Sequence, residues 1–283
     1  MKTKMSELND FIANALKEDV GDGDHTSLAC IPSSKKAKAR LLVKENGIVA
    51  GVELARIIFE KVDKSLFCKV LIKDGEKIRK GDVVFSVEGK ARSILTAERL
   101  VLNCMQRMSG IATATHRLVR SCEGTKTRVV DTRKTTPGFR LLEKWAVRIG
   151  GGGNHRFGLY DMILIKDNHV DYASGIKNAI ETANNYLRKK NKKLKIEIEA
   201  RNLTEVKEIL AVGKIHRIML DNFTATDLKK AVHLIGKKYE TEASGRITEK
   251  NIRTYARSGV NLISVGALTH SVKSLDMSLK AIE

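Results

Sequence analysis

The sequence predicts an α/β protein built around an incomplete, six-stranded α/β barrel, on two observations. First, short runs rich in β-branched residues recur from Thr127 onward and alternate with amphipathic helical segments, as in parallel β/α units. Second, a charged or small polar residue follows each run, and the C-terminal ends of all strands meet at the mouth of a barrel. The six predicted strands are 127–131, 162–165, 195–199, 217–220, 239–243 and 261–265.

An open doubly wound sheet is the alternative fold with the same alternation of elements. Its ligand lies at one switch point of the sheet, so polar residues are expected after only a few strands. In this sequence they follow all the strands, as Arg133, Lys134, Lys166, Glu199, Asp221, Ser244, Gly245 and Gly266. The barrel is therefore the better prediction.

The helical segments of the barrel are predicted at 176–188, 204–211, 225–235 and 249–257. The first third of the chain reads differently. It combines predicted helices at 8–20, 53–61 and 97–115 with short strands that are separated by turns such as Asp74-Gly75. We predict an N-terminal domain over 1–112, a barrel over 113–270, and a C-terminal helix over 271–283 that returns to the N-terminal domain.

The net charge of +19, from 52 Lys+Arg against 33 Asp+Glu, favours anionic partners. Two basic runs, 35–38 and 188–193, resemble nucleic-acid patches, but aromatic residues that would stack bases make up only 5% of the chain. We expect these runs to be solvated surfaces and the anions to be small substrates, with no nucleic acid and no membrane as partner.

Several common classes of site are absent from the sequence. It contains no G-x-x-x-x-G-K-[ST], no H-E-x-x-H and no G-x-S-x-G, and the run Gly150–Gly153 does not complete G-x-G-x-x-G. No apolar run is long enough to span a bilayer, and the first ten residues lack the apolar core of a signal peptide. The four cysteines are far apart, so we expect neither a zinc site nor disulfides and place the protein in the cytoplasm.

Two segments concentrate cations and glycines. In DTRKTTPGFR (131–140), Arg133 and Lys134 follow a strand, and an arginine fork suits a carboxylate or a phosphate. In GGGGNHRFGLYDMILIKDNH (150–169), the glycines would allow backbone N–H groups to approach an anion, and His155 and Arg156 add side-chain donors. Lys166 ends a buried strand, where it faces either an anionic ligand or a neighbouring acid.

Acidic residues follow the next two strands. Strand alternation places Glu197 and Glu199 on the face opposite Ile196 and Ile198. Glu199 and Asp221 are therefore candidates to hold the hydroxyls of a sugar or a Mg²⁺ ion that retains waters, with a structural ion-pair lattice as the alternative. Further along, EASGR (242–246) and SVGALTHS (264–271) offer small residues where barrels often bind phosphate.

Taken together, these motifs resemble those of the quinolinate phosphoribosyltransferase family, nearly from end to end. They are EDVGDGDHTS, ERLVLN, SGIAT, DTRKTTPGFR, GGGGNHRFGLYDMILIKDNH, LDNF, EASG and VGALTHS. The resemblance implies an N-terminal α/β sandwich, an incomplete barrel, and a homodimer in which Arg99 of ERLVLN reaches into the partner's site. The implied reaction transfers phosphoribose from phosphoribosyl pyrophosphate to quinolinate with loss of CO2, which gives nicotinate mononucleotide.

The resemblance also implies residue roles. Arg133, His155 and Arg156 would hold the two carboxylates of quinolinate. Lys134, Thr135 and Lys166 would lie close to the substrates, with the two lysines counted among the catalytic residues. Glu199 and Asp221 would be catalytic and hold the ribose and its Mg²⁺. Ser244, Gly245 and Gly266 would line the 5′-phosphate site. The family often has a small residue where this chain has Arg246, which either adds a phosphate contact or points to solvent.

Four alternatives stay open from the sequence. Nicotinate phosphoribosyltransferase takes a mono-acid and is usually coupled to ATP, and another family member is tied to molybdenum transport. A nucleic-acid-binding module is suggested by the net charge alone. A carrier domain is suggested by DGEKIRKGDVV, which resembles half of a lipoyl-type fold but lacks a lysine in a tight exposed hairpin. Turnover of quinolinate without ATP would separate the enzyme from all of these.

Overall fold

The structure, a computed structural model, describes residues 2–282 and, among them, the side chains of residues 5–282. Contacts between residues divide the chain into two compact units. Unit 1 comprises residues 1–116, 135–151 and 271–283, and unit 2, which we call the barrel unit, comprises residues 117–134 and 152–270.

In chain order, the elements as far as the first strand of the barrel unit are α1 (Lys2–Val20), α2 (His25–Cys30), β1 (Lys36–Val43), β2 (Gly47–Ile48), α3 (Val52–Val62), β3 (Phe67–Val70), β4 (Lys77–Ile78), β5 (Val83–Lys90), α4 (Ala91–Ser121) and β6 (Arg128–Val130). The remaining elements are α5 (Arg140–Ile149), β7 (Ile163–Ile165), α6 (Asp167–Tyr172), α7 (Ile176–Lys189), β8 (Ile196–Ala200), α8 (Leu203–Val212), β9 (Arg217–Asp221), α9 (Ala225–Ile235), β10 (Glu240–Ser244), α10 (Ile252–Ala256), β11 (Leu262–Ser264), α11 (Ala267–His270) and β12 (Met277–Ile282).

Unit 1 is organised by an antiparallel sheet with the strand order β12-β1-β5-β3. Along β1, alternate side chains are buried, which is the period-2 pattern of a strand with one face in a core. The rings of Phe59 on α3 and Phe85 on β5 meet edge to face at 5.8 Å. Each of these buried rings stabilises the fold by about 1.5–3 kcal/mol through its removal from water. The implied N-terminal α/β domain is confirmed.

The predicted C-terminal helix is wrong, because residues 277–282 form strand β12. Met277 and Leu279 are buried, and β12 pairs antiparallel with β1 in a register that sets Leu279 opposite Leu41. The pairing satisfies the backbone of the last residues and buries their apolar side chains, which outweighs the helical preference of so short a segment. These residues do belong to unit 1, so the expected return of the chain is found.

The predicted boundaries at 112 and 113 also differ from the two units, because residues 135–151 group with unit 1. Helix α5 lies in this segment, and its residues Glu143 and Lys144 are buried. The Glu143 carboxylate accepts hydrogen bonds from Arg107 on α4, at 2.8 and 3.1 Å. A buried charge requires such a partner, so the ion pair between Glu143 and Arg107 holds α5 against α4 within unit 1.

The barrel unit contains six parallel strands in the order β6-β11-β10-β9-β8-β7. An isolated parallel bridge joins Val130 of β6 to Gly153, in the segment that precedes β7. Between successive strands, helices α7, α8 and α9 bury apolar residues such as Ile180, Ile209 and Leu228. The six-stranded α/β prediction is confirmed, and each strand lies within two residues of its predicted bounds.

Register explains how one end of this sheet collects polar groups. Glu197 on β8 lies opposite Arg217 on β9, which in turn lies opposite Glu240 on β10. Side chains two residues further along each strand share the same face. Asp221 and Ser244 are paired at the C-terminal ends of their strands.

No helix among the described residues is long and apolar enough to cross a membrane.

Candidate active site

A cavity of about 790 Å³ opens at the C-terminal ends of the barrel strands, and its lining belongs entirely to the barrel unit. Eleven of the thirteen predicted site residues line it, namely Arg133, Lys134, His155, Arg156, Lys166, Glu199, Asp221, Ser244, Gly245, Arg246 and Gly266. Arg99 and Thr135 are absent from the lining. Arg99 is exposed on α4, and the Thr135 hydroxyl accepts a hydrogen bond from Arg140 at 2.9 Å.

Two arginines, Arg133 and Arg156, bring positive charge to the cavity. Arg156 lies close enough to Arg133 that burial, and then repulsion between the two guanidinium groups, lowers the pKa of Arg156. Nε of Arg133 is buried and has no hydrogen-bond partner in the described structure. Two nearby cations and an unused buried donor favour the binding of an anion. The pair is therefore suited to a small anion with more than one carboxylate.

The acids of the cavity are arranged beside a lysine. Lys166 Nζ lies 3.3 Å from Glu199 Oε1, so the ion-pair alternative considered for Lys166 is present in this structure. Burial raises the pKa of Glu199, the charge of Asp221 adds to that increase, and Lys166 opposes it. Asp221 accepts a hydrogen bond from Asn222 at 2.7 Å. Two carboxylates thus share one region, and Lys166 compensates only part of their charge.

The backbone at Gly245 leaves room only for glycine. Its φ is +96°, and an added Cβ would lie 2.2 Å from Asn222 Oδ1. Next to it, Arg246 has a φ of +50°, a left-handed conformation that costs a side-chain-bearing residue roughly 1–2 kcal/mol. The carbonyl of Arg246 accepts a hydrogen bond from Asn251 at 3.1 Å, which holds this turn in place. The strained turn exposes the Arg246 side chain at the rim of the cavity.

Lys134 is fixed by its backbone and by the stem of its side chain. The Thr269 hydroxyl donates to the carbonyl of Lys134 at 2.7 Å, and the N–H of Lys134 donates to Thr132 Oγ1 at 3.0 Å. A Cβ added at Gly266 would lie 3.0 Å from Lys134 Cδ, so the stem packs directly over the Gly266 backbone. This arrangement aims a mobile ammonium group into the cavity.

Both ring nitrogens of His155 face protein groups. Nε2 lies 3.0 Å from Glu197 Oε2 and 3.4 Å from Glu242 Oε2. Nδ1 accepts the backbone N–H of Arg156 at 2.7 Å. Burial alone would lower the pKa of His155, but the two carboxylates outweigh it and raise the pKa to about 9.

Below the cavity, Arg217 joins the same two carboxylates. Its Nη1 lies 2.9 Å from Glu242 Oε2 and 3.4 Å from Glu197 Oε2, and both glutamates are fully buried. Burial and the charge of Glu242 raise the pKa of Glu197 to about 7. Burial also favours a neutral Glu242, but His155 and Arg217 hold its pKa below the usual value. We call His155, Glu197, Arg217 and Glu242 the buried charge cluster.

The sequence did not lead us to predict that Arg217 and Glu242 belong to this cluster. We looked for function at strand ends, whereas these residues lie within strands. The signal that finds them is alternation, because Arg217 shares a face with Asp221, and Glu242 with Ser244. Three members of the cluster, His155, Glu197 and Glu242, have ligand atoms close enough for a metal ion. The guanidinium of Arg217 already supplies the positive charge between the carboxylates, so this cluster does not suit one.

The glycine run has a different task from the one predicted. The N–H groups of Gly150 and Gly151 donate to carbonyls at the end of α5, and that of Gly153 donates to Val129. A Cβ added at Gly150 would lie 2.5 Å from the carbonyl oxygen of Ala112. The run therefore allows close packing of backbone, and the N–H groups of Gly150, Gly151 and Gly153 already bond within the protein.

Comparison with known proteins agrees with the motifs and the geometry. Two family models match, "Quinolinate phosphoribosyl transferase, N-terminal domain" over residues 24–109 and the corresponding C-terminal domain over residues 111–280. A carboxylating nicotinate-nucleotide pyrophosphorylase of Arabidopsis thaliana, described as chloroplastic, is 48% identical over 97% of this chain and 82% of that protein. A probable carboxylating nicotinate-nucleotide pyrophosphorylase of Bacillus subtilis is 40% identical over 96% and 93%.

Among solved structures, NadC from Streptococcus pyogenes superposes with a TM-score of 0.91 at 37% identity, over 98% of this chain and 97% of that one. The similarity therefore extends over both units and over at least 82% of each of these relatives. The family resemblance stated from the motifs is confirmed, and this chain belongs to the quinolinate phosphoribosyl transferase family.

Proposed function

We propose that this chain transfers the phosphoribosyl group of phosphoribosyl pyrophosphate to quinolinate and releases pyrophosphate and CO2, as a step in the biosynthesis of NAD. Quinolinate carries two adjacent carboxylates on a pyridine ring. The observation that carries the proposal is the pair Arg133 and Arg156, two partly desolvated guanidinium groups that repel each other in one cavity. A di-acid relieves this repulsion at both arginines, because each of its carboxylates can form a bidentate ion pair with one guanidinium group.

The rest of the cavity suits the sugar phosphate. The 5′-phosphate can approach the backbone closely at Gly245 and Gly266, and Ser244 adds a small polar side chain beside them. Arg246, at the rim of the cavity, adds a positive charge to this site. Glu199 and Asp221 are acceptors for the ribose hydroxyls. Lys134 and Lys166 face the pyrophosphate and the reacting carbon of the ribose.

This inventory matches a reaction that needs no protein nucleophile. The pyridine nitrogen uses its own lone pair to form the bond to the ribose carbon as the bond to pyrophosphate breaks. The ring nitrogen becomes cationic as this bond forms, and its charge stabilises the electron pair that stays on ring carbon C2 when the 2-carboxylate departs as CO2. A proton from solvent then adds to C2. The protein binds and orients the two substrates and matches their charges, which is where positioning contributes most to rate.

Mg²⁺ fits the acid pair of the cavity. The negative charges of Glu199 and Asp221 repel each other, and Lys166 forms an ion pair only with Glu199. Mg²⁺ typically uses one or two carboxylates plus substrate phosphates and keeps several waters. When bound, it would offset negative charge on the leaving pyrophosphate. Glu199 and Asp221 are the residues we propose to hold it.

Removal of the metal is expected to abolish most of the activity without unfolding the protein. With excess chelator, the initial rate of nicotinate mononucleotide formation should fall about 100-fold, equivalent to the several kcal/mol that a metal contributes to charge stabilisation. Added Mg²⁺ should restore it, and Asp221→Asn should need a higher Mg²⁺ concentration for half-maximal rate. Full activity in chelator would contradict the assignment.

Replacing Arg156 by alanine tests the di-acid pocket. The loss of a charge-assisted hydrogen bond costs about 1.5–3 kcal/mol, so the KM for quinolinate should rise about 10- to 150-fold while the KM for phosphoribosyl pyrophosphate stays near its original value. Arg201→Ala is the matched control, because Arg201 pairs with Glu205 at 2.7 Å and does not line the cavity. An unchanged quinolinate KM in the Arg156 variant would remove the pocket assignment.

The product assay also separates the alternatives. Formation of CO2 and nicotinate mononucleotide from quinolinate without ATP supports the proposal, and activity on nicotinate with ATP supports nicotinate phosphoribosyltransferase instead. The paired arginines favour the di-acid, since a mono-acid would leave one guanidinium without a partner.

We further propose that the enzyme works as a homodimer. Arg99 is exposed on α4 and lies outside the cavity lining, as expected of a side chain that completes the partner's site. Leu95, one turn earlier on the same helix, is 42% exposed, which suits an interface. A cytoplasmic location is consistent with Cys30, Cys68, Cys104 and Cys122, all of which are free.

A further inference from the structure

The end of the barrel unit opposite the cavity carries positive charge that the proposed reaction does not use. All six strands are parallel, so the loops that lead into them lie away from the strand ends that line the cavity. Three of these loops, 190–195, 213–216 and 236–239, lead into the neighbouring strands β8, β9 and β10. They contain no acid and seven exposed lysines, which we call the basal lysine surface: Lys190, Lys192, Lys193, Lys195, Lys214, Lys237 and Lys238.

Hydrogen bonds between neighbouring elements hold the three loops side by side. Nδ2 of Asn184, on α7, donates to the carbonyl of Lys214 at 3.1 Å. The ammonium group of Lys238 donates to the carbonyl of Leu210, on α8, also at 3.1 Å. Neighbouring strands of a sheet lie about 4.8 Å apart, so each loop is adjacent to the next. The seven lysines therefore form one continuous surface.

Neighbouring acids do not balance the charge of this surface. Glu240, which directly follows the loop 236–239, pairs with Arg217 at 2.7 Å. Among the described residues, no acid lies within ion-pair distance of any of the seven lysines. The loop 257–261, which leads into the next strand, adds Arg257 and again no acid. The basal lysine surface is thus suited to a large anion that contacts many side chains at once.

The chemistry of this surface favours an anionic membrane over other large anions. A lysine is a point charge on a long flexible stem, which suits mobile lipid head groups, whereas arginine forks suit the fixed phosphates of nucleic acid. Tyr239 is half-buried with the Lys238 ammonium 5.5 Å from its ring centroid, so its ring is not open to stack on a base. Interfaces between proteins are depleted in lysine.

Two exposed side chains close to the lysines also suit a membrane. Tyr186, one turn before the end of α7, is 48% exposed, and Leu234, next to the last residue of α9, is 41% exposed. Tyrosine and leucine beside cations are typical of protein surfaces that lie in the head-group region of a bilayer.

We propose that the basal lysine surface binds the face of a membrane that contains anionic phospholipids, with the cavity of the barrel unit facing away from the lipid. The sequence led us to expect a solvated surface and no membrane partner, because the run 188–193 was considered alone. The fold adds lysines from two further loops to that run. The inference goes beyond the proposed function and is independent of it, since none of the seven lysines lines the cavity.

Cosedimentation with sucrose-loaded vesicles tests this proposal. The protein should bind vesicles of equal parts phosphatidylcholine and phosphatidylglycerol, should not bind phosphatidylcholine alone, and should dissociate as salt is added. Each lysine near an anionic lipid surface contributes about fivefold in affinity, so a triple variant should bind about 100-fold more weakly. This variant combines Lys190→Gln, Lys192→Gln and Lys193→Gln.

The other basic run of the sequence provides a control of equal charge. A second triple variant combines Lys35→Gln, Lys36→Gln and Lys38→Gln, which are exposed residues of unit 1. Its affinity for the vesicles should stay within about threefold of the original, because these lysines lie outside the basal lysine surface. Both variants should form nicotinate mononucleotide at the original rate, so a failure of the proposed reaction and a failure of vesicle binding are distinguishable.

Three results would overturn the inference. An absence of binding to the anionic vesicles at low salt would exclude the membrane. Equal weakening by the two triple variants would mean that binding follows the net charge of the protein. Tighter binding to a DNA duplex than to vesicles at the same phosphate concentration would identify nucleic acid as the ligand of this surface instead.

Discussion

Replacing Lys134 by methionine is expected to reduce kcat about 100- to 1,000-fold while the protein stays folded. Lys134 lines the cavity, and its ammonium group is the cation there that has neither an acid partner within ion-pair distance among the described residues nor a fixed guanidinium geometry. It is therefore free to follow the charge that would develop on the departing pyrophosphate in the proposed reaction. Loss of one donor to a developing anion typically costs 10²–10³ in kcat.

Methionine retains the apolar stem that packs over Gly266, so the fold should be preserved. The thermal midpoint should stay within about 2 °C of the original, because a surface-accessible charge contributes little to stability. Lys250→Met is the matched control, because Lys250 is exposed and does not line the cavity. Pre-steady-state measurement of nicotinate mononucleotide in a single turnover reports the chemical step directly. A kcat within threefold of the original value would show that Lys134 does not act on the leaving group.

Gly266→Ala provides a graded version of the same experiment. Its Cβ would lie 3.0 Å from Lys134 Cδ and 3.2 Å from His270 Nε2, so the lysine stem must shift by a few tenths of an ångström. Because flexible side-chain ends yield easily, we expect a loss of kcat smaller than that of Lys134→Met. Equal losses would mean that the added methyl group also disturbs the 5′-phosphate, which we propose to bind beside Gly266.

The residues at the strand ends were predictable because their positions follow from topology alone. In a parallel β/α repeat, a residue just after a buried strand must lie at the C-terminal edge, and this rule placed Lys134, Lys166 and Asp221 in one cavity. The glycine of the EASG motif has an equally local explanation, because the φ of +96° at Gly245 excludes residues that carry a side chain. Those features required only the strand pattern and the chemistry of single residues.

The buried charge cluster required information that the sequence does not display locally. Glu197, Arg217 and Glu242 are distant in sequence, and their meeting depends on the register between β8, β9 and β10. A shift of one residue would turn each side chain to the other face of the sheet. The contacts of the His155 ring with Glu197 and Glu242 depend in turn on that register, so motif comparison could not predict them.

The C-terminal strand shows the same limit for secondary structure. Residues 277–282 contain apolar and polar residues at spacings that fit a short helix or a short strand, and so brief a pattern does not distinguish them. The partner that decides is β1, at residues 36–43, more than two hundred positions earlier in the chain. The segment 135–151 is a similar case, because it belongs to unit 1 through contacts with residues distant in sequence, such as that of Glu143 with Arg107.

That carboxylate, Glu143, is expected to make the largest single contribution to stability that we can identify in unit 1. It is fully buried and accepts four hydrogen bonds. Two come from Arg107, at 2.8 and 3.1 Å, and two from the hydroxyl and the backbone N–H of Thr136, at 2.9 and 3.1 Å. Arg107 also donates to the carbonyl of Val272 at 2.8 Å, so a single ion pair fastens three separate stretches of the chain.

Glu143→Ala should therefore lower the free energy of unfolding by about 3–5 kcal/mol, because it leaves a partly buried guanidinium and the Thr136 donors without their acceptor. Glu53→Ala is the matched control. Glu53 also pairs with an arginine, Arg56, at 2.7 Å, but both side chains are 49% exposed, and such pairs contribute only about 0–1 kcal/mol. The free energies of unfolding of Glu143→Ala and Glu53→Ala are compared by urea denaturation, provided that the two variants have equal m-values. Equal losses would mean that burial of the Glu143–Arg107 pair adds nothing to its contribution, and that α5 is held to unit 1 by its apolar contacts instead.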